Sequence, residues 1–364
     1  MKVVVLHPPL YPIDHKFFNL LGKYVDLTVY NFGEYPRLHQ GWKSVNFVNE
    51  KNSYKIKFFG KGAISLKTQL NPSMLWHLAK DKPDVVISVA FWIPSLYASL
   101  VKKILGFKFL IKTDAITATD KSISRSRYRI RKIICKNTDA FISASDLTSE
   151  YLKILCPKVP IELSLQTIDI EEWLNNIDTL PNKNILRKEL NIPQDKTILL
   201  GVGGLTEKKN WMAVFRQMKH LDDCYFVLVG AGKEEKNYRD YIEEHNLDNV
   251  IKLISRKEGI ELVKYFKMAD IFIFPSLYDQ FGYVVPEALA SGLPVICTEK
   301  SGASSLIKDG LNGYIVDPHQ DFYNEIKLVI TNLKSFQENA LLSIGKYSLS
   351  NKVEEYLNIL GKMK

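Results

Sequence analysis

Two carboxylates and a glycine occur together in PSLYDQFGYVVPEALASGLPVICTEKSGASSLIKDGLNGYIVDP, residues 275–318. Asp279 and Glu287 have seven residues between them, and Phe281, Gly282 and Tyr283 lie in that interval. A glycine lets backbone approach a ligand closely, and the amides that open a helix favour an anion. Glu287 fits a plainer purpose equally well, because a carboxylate in a first helical turn offsets the helix dipole. Upstream, Gly201, Gly203 and Gly204 precede Lys208, Lys209 and Asn210. Amide and ammonium groups converging there suit a diphosphate; the alternative is a glycine turn followed by two solvated lysines.

The elements that must position these groups are legible. Ile271, Phe272, Ile273 and Phe274 form an all-apolar run with the length of a strand buried on both faces. Pro286 suits a first helical turn, Gly292 suits a left-handed cap, and Val295, Ile296 and Cys297 supply a return strand. A right-handed crossover then leaves the loop from Ser276 to Val285 at the carboxyl end of a parallel sheet, where open α/β sheets bind ligands. ILLGVGG from Ile198, FVLVGAG from Phe226 and a strand from Val250 to Ile254 belong to the same sheet. In the first half, Val3–Leu6, Leu27–Tyr30, Val85–Val89, Phe109–Lys112 and Ala140–Ser143 alternate with helix-capable segments. Two doubly wound domains are expected, with a linker near Ile168–Asp178 and a last helix over Leu349–Lys364.

In this register the 275–318 stretch resembles the signature of the retaining glycosyltransferases of family 4. Asp279, Phe281, Gly282, Glu287, Ala288, Ala290, Gly292, Pro294 and Val295 carry the resemblance. It implies a GT-B fold, two Rossmann-like domains facing a central cleft: residues 1–167 for the acceptor, 168–348 for linker and nucleotide sugar, and 349–364 as a helix crossing back. It implies that Asp279 contacts the donor sugar, that the Gly282 amide lies near sugar and phosphate with Phe281 and Tyr283 beside it, and that Glu287 holds the ribose hydroxyls. The family's first acid is normally Glu, so Asp279 is one methylene shorter. Gly203, Gly204, Lys208 and Lys209 answer to its phosphate motif, with Gly204 where an Arg usually stands and Lys208 as a replacement for that charge. Gly230 matches a turn near the base. Arg256 could line the base pocket or be an ordinary solvated loop residue. Where many members have Gly-Gly and then Glu, this chain has Ser301, Gly302 and Ser305, so any role for that acid is lost.

Chemistry follows from the charge that such a transfer creates. Oxocarbenium character on the sugar and negative charge on the departing diphosphate call for cations, so Lys209 is the main catalytic candidate. Asp279 joins it, and Asp114 follows Lys112 and Thr113 where many members have His-Asp. No metal is expected, since Asp-x-Asp and His or Cys clusters are absent from the sequence. His7, before Pro8 and Pro9, is either an acceptor-side residue or a structural turn residue.

With 364 residues and 46% apolar content the chain can bury two cores. Cys135, Cys156, Cys224 and Cys297 are too widely spaced for a metal or redox motif and read as buried thiols of a reducing compartment. The start, MKVVVLHPPL, reads as a strand rather than a secretory signal, and the expected location is the cytoplasm. Val85–Val101 carries no charge but contains Pro94 and several serines, and reads as a strand plus helix rather than a membrane span. The net charge of +9 comes without a nucleic-acid motif. Part of it lies in KSISRSRYRIRKIICK, Lys121–Lys136, where Arg125, Arg127, Arg129, Arg131 and Lys132 alternate with Tyr128, Ile130, Ile133 and Ile134. As a helix this would rest peripherally on an anionic membrane and suit a polyprenyl-linked or other glycan acceptor; alternatively its isoleucines face the sheet and its cations face water. The resulting expectation is a sugar-nucleotide-dependent hexosyl- or N-acetylhexosaminyltransferase of surface polysaccharide or lipopolysaccharide assembly. A sugar-nucleotide epimerase or phosphorylase of the same fold, and a non-catalytic binder, remain as alternatives.

Overall fold

The structure, a computed structural model, describes residues 1–33, 52–60, 69–120 and 123–364. It divides into unit 1, Met1–Leu165 with Leu349–Lys364, and unit 2, Gln166–Ser348.

Unit 1 is built on a parallel sheet of β1 (Lys2–His7), β2 (Asp26–Asn31), β3 (Lys55–Phe58), β4 (Val85–Val89), β5 (Lys108–Thr113), β6 (Ala140–Ser143) and β7 (Ile161–Leu163), in the order β3-β2-β1-β4-β5-β6-β7. The inner strands are buried on both faces, as their continuous Val, Ile, Leu and Phe content requires. On one face the helix Pro12–Leu21 and the last helix, Leu349–Gly361, supply Phe17, Phe18, Val353, Tyr356 and Ile359 to a core shared with Val3, Val5 and Leu110. The uncharged Val85–Val101 stretch forms β4 and part of the Ile93–Leu105 helix. Among the described residues no helix is long and apolar enough to cross a membrane.

Unit 2 repeats the design with β8 (Thr197–Val202), β9 (Cys224–Val229), β10 (Ile251–Ile254), β11 (Ile271–Phe274), β12 (Val295–Thr298) and β13 (Gly313–Val316), all parallel, in the order β10-β9-β8-β11-β12-β13. The sequential order reverses at β8, between β9 and β11, so a crevice opens beyond the carboxyl ends of β8 and β11. The stretch expected to be a linker is different in the structure. Asp169 caps a helix over Ile170–Thr179, accepting from the Glu172 amide at 3.0 Å. Trp173 pins that helix to unit 2 through an edge-on contact with Phe266 and a 2.9 Å hydrogen bond from Nε1 to Ser291 Oγ.

Candidate active site in unit 2

Two turns meet at the carboxyl ends of β8 and β11. After β8, the Gly203 amide donates to Val229 O at 3.0 Å and the Leu205 amide to Ala231 O at 3.0 Å, so the glycine turn is strapped to the end of β9. A Cβ on Gly230 would fall 2.0 Å from Gly203 O. Gly230 is therefore required by backbone packing, whatever lies beyond it. The Gly204 carbonyl accepts from Trp211 Nε1 at 3.1 Å. A short helical turn, Glu207–Lys209, then presents the two lysines, and Asn210 anchors it: its Nδ2 donates to Pro275 O at 3.2 Å and to Pro318 O at 2.9 Å.

Lys209 Nζ reaches Asp279 Oδ2 at 2.6 Å, and Lys208 Nζ lies 3.7 Å from the same oxygen. Lys208, Lys209 and Asp279, the last 70 positions beyond Lys209 in sequence, thus form one charged cluster. Each lysine also sits over an aromatic ring, Lys209 at 4.7 Å from the Phe274 centroid and Lys208 at 5.0 Å from that of Tyr278. Two ammonium groups around one carboxylate leave a net positive charge facing the crevice.

The loop carrying Asp279 is held from behind by Lys300, Ser301, Gly302 and Ala303, a backing role that the sequence reading did not assign to them. The Asp279 amide donates to Lys300 O at 3.0 Å, the Gly302 amide to Asp279 O at 3.1 Å and the Ala303 amide to Phe281 O at 2.9 Å, while Ser301 Oγ donates to Phe281 O at 2.7 Å. Ser301 is fully buried. Small residues are needed for so close an approach, and the run Ser-Gly-Ala-Ser-Ser was the available signal. Gly282 adopts φ +98°, and a Cβ there would lie 2.7 Å from Phe274 Cζ, so both its conformation and its neighbour exclude a side chain.

The helix that follows spans Val284–Ala290, starting two residues before the turn expected from Pro286. The Val285 amide donates to Gly282 O at 3.0 Å, which extends the first turn upstream. Gly292 closes the segment with φ +74°. Glu287 projects from this first turn with Oε2 buried and lacking a hydrogen-bond partner, and burial raises its carboxyl from 4.5 to about 8. Ser276 Oγ is also buried without a partner. An orphaned acid of this kind fits a ligand that brings hydroxyl donors. Beneath the cluster, burial pushes the Cys297 thiol up to about 12, an inert wall residue. Arg256 pairs with Glu258 at 2.7 Å and is more than half exposed, the solvated alternative for that position.

Unit 1 places the remaining candidates. His7, at the end of β1, is buried, with Nδ1 2.6 Å from Pro8 O, Nε2 3.7 Å from Asp14 Oδ1 and Phe18 edge-on to its ring. Burial lowers its pKa, against an opposing pull from Asp14. These contacts hold the His7–Pro8 turn. Asp114 directly follows the end of β5. The basic run forms a helix over Arg125–Lys136, capped by Ser124; Lys121, which opens the run, lies outside the described residues. Its expected membrane face is smaller than the sequence suggests. Arg131 is turned inward onto Asp120 and Tyr151, with its guanidinium 5.1 Å from the Phe91 ring, and Lys132 donates to Leu155 O. Ile134 is fully buried and Ile130 packs on the core. Arg125, Arg127, Tyr128, Arg129, Ile133 and Lys136 are left exposed.

Two parallel sheets with interleaved helices, with a glycine turn after β8 and a carboxylate loop after β11, have the GT-B fold. It matches Anabaena HepE, solved in complex with UDP, with a TM-score of 0.77 and 16% identity over the whole of both chains. Residues 182–342, which contain the whole unit 2 site, match the family model described as Glycosyl transferases group 1. Similar curated proteins include a D-inositol 3-phosphate glycosyltransferase of Corynebacterium kroppenstedtii, 25% identical over 58% of this chain and 49% of that protein. The chain thus spans about half the length of this relative. A lipopolysaccharide core biosynthesis glycosyltransferase of Rhizobium meliloti, LpsE, is 23% identical over 82% of each chain.

Proposed function

We propose that the protein is a retaining glycosyltransferase that moves a hexosyl or N-acetylhexosaminyl group from a nucleoside-diphosphate sugar to a glycan or lipid-linked glycan acceptor in surface polysaccharide assembly. The observation that carries this reading is the convergence of Lys208 and Lys209 on Asp279, in the same crevice-lining loop and helix as the orphaned carboxyl of Glu287. Glu287 accepts the ribose hydroxyls. The diphosphate draws Lys209, and with it Lys208, away from Asp279, which frees that carboxylate for hydroxyls of the donor sugar. As the glycosidic bond to the diphosphate lengthens, Lys209 and the amides around Gly203 and Gly282 offset the charge that develops on the leaving oxygen. The departing phosphate takes the proton of the acceptor hydroxyl, which attacks from the same face and so retains configuration. Lysines rather than a divalent cation neutralise the diphosphate in this scheme, and transfer should persist in excess chelator. Support for a nucleotide donor comes from the UDP of the HepE complex, and support for a surface-glycan acceptor from the name of the Rhizobium relative.

The exposed Arg125, Arg127, Arg129, Lys136, Tyr128 and Ile133 favour a second element of the proposal, peripheral docking on an anionic leaflet at the cytoplasmic face, where a lipid-linked acceptor is presented. The deciding experiment is a screen of sugar nucleotides for thermal stabilisation, followed by product analysis with each ligand that stabilises. Glycoside formed on an added acceptor supports the proposal. An isomerised sugar nucleotide or phosphorolysis would assign an epimerase or phosphorylase instead, and binding without turnover would leave a binder whose site has lost activity, with Gly204 in place of the family's Arg as the first suspect.

A further inference from the structure

Tyr283 is half exposed, yet each of its parts is fixed to something different. Its hydroxyl donates to Gln166 Oε1. Its ring packs against Phe281 at 5.5 Å and 62°. Its carbonyl accepts from the Glu287 amide at 3.4 Å, closing the turn from which Glu287 projects. Gln166 is the first residue of unit 2, and only 8% of its surface is exposed. The preceding residues are fixed from within unit 1: Lys352 Nζ donates to Ser164 Oγ at 3.2 Å and to Leu165 O, and Ser164 Oγ donates to Glu355 Oε2 at 2.7 Å. The peptide at which the chain passes from one unit to the other therefore has a side-chain anchor on each side, and the anchor on the unit 2 side belongs to the donor loop.

We infer that Tyr283 is a positioning residue, a strut that ties the first turn of the Glu287 helix to the Leu165–Gln166 junction, so that occupancy of the site and order at the junction reinforce each other. A ligand that engages Glu287 restrains this turn, and the restraint passes through the Tyr283 hydroxyl to Gln166; by linkage, order at Gln166 favours the ligand equally. The identity of the ligand rests on the glycosyltransferase reading, but the strut does not.

The test is hydrogen–deuterium exchange on the full chain, native and with Tyr283→Phe or Gln166→Leu, alone and with UDP as the probe. Without ligand, either substitution should speed exchange several-fold both at residues 164–168 and at 284–288, with distant peptides of β8 and β11 unchanged. With saturating UDP, the native chain should gain protection in both segments, whereas Tyr283→Phe should gain it only at 284–288 and bind UDP several-fold more weakly. No change in either segment of the ligand-free variants would overturn the strut, as would junction protection by UDP that survives both substitutions. If UDP protects nothing while the ligand-free variants behave as stated, the strut stands and a uridine nucleotide is ruled out as the donor. A donor KM that rises several-fold with kcat retained would mark Tyr283→Phe as a loss of positioning rather than of folding.

Discussion

Changing Glu287 to Gln should stabilise the empty protein at pH 8 and weaken nucleotide binding, two effects with one cause. Burial holds the carboxyl in its neutral form up to about 8, whereas in the unfolded chain it ionises near 4.5. Between those values the folded state binds more protons than the unfolded state, so stability falls as pH rises from about 4.5 to about 8 and is insensitive to this group outside that window. Each pH unit in the window costs about 1.4 kcal/mol, so the native chain gives up on the order of 4 kcal/mol by pH 8. A glutamine has nothing to ionise. The variant should match the native protein at pH 5 and exceed it by a margin that grows with each pH unit, which calorimetry or denaturant titration of unit 2 at pH 5, 6, 7 and 8 can read. Parallel stability curves across this range would refute the buried, unpaired state of Glu287.

Binding adds a second arm. Ribose hydroxyls donate best to an ionised carboxylate, so ligand binding favours loss of the Glu287 proton and native affinity for a nucleoside diphosphate should tighten between pH 6 and 8. The diphosphate's own ionisation is common to both proteins and cancels in their ratio. The native-to-variant affinity ratio should therefore rise with pH, and a constant ratio would remove Glu287 from contact with the ribose.

Asp279→Asn should leave nucleoside diphosphate affinity equal or tighter, because it releases Lys208 and Lys209, while lowering transfer; calorimetric titration and initial rates separate the two effects. Lys209→Ala should cut transfer by about a hundredfold or more, as removing a preorganised oxyanion donor does, and near-normal turnover would shift that role to Lys208. Replacing Arg125, Arg127 and Arg129 with Gln should abolish salt-sensitive flotation with anionic liposomes, since each basic residue near such a surface contributes about 1 kcal/mol; binding that ignores both salt and the substitutions would refute electrostatic docking.

The parts of the fold that the sequence reveals are those whose signal is local. Ile271–Phe274 with Pro286 and Gly292 spells out a strand, a helix and a stop within one window, and the observed elements follow it to within two residues. β3, KIKF, β7, IEL, and β13, GYIV, escape notice because short strands with charges or a leading glycine carry too little apolar pattern; β3 and β7 owe their place to neighbours on a sheet edge. The basic helix illustrates the same limit in reverse. Its spacing shows that cations and isoleucines alternate, but which cations turn inward depends on Asp120, Tyr151 and the Leu155 carbonyl, all contributed by other elements. Arg131 and Lys132 are indistinguishable from Arg125 and Arg129 by type and spacing alone.

Phe274 shows why the site behaves as a unit although its residues come from separate turns. The ring closes β11, lies under the Lys209 ammonium at 4.7 Å, and occupies the volume that any Cβ on Gly282 would need. The lysine therefore rests on the same surface that enforces the glycine, so packing alone accounts for a glycine at position 282. Asp279, which leads into that glycine, keeps Lys209 over the ring and is itself held by Lys300 and Gly302, while Ser301 holds Phe281 two residues on. A shorter acid suits this geometry. With the carboxylate already 2.6 Å from Lys209, the diphosphate of the proposed donor would compete for an ammonium that is already in place rather than order a free one.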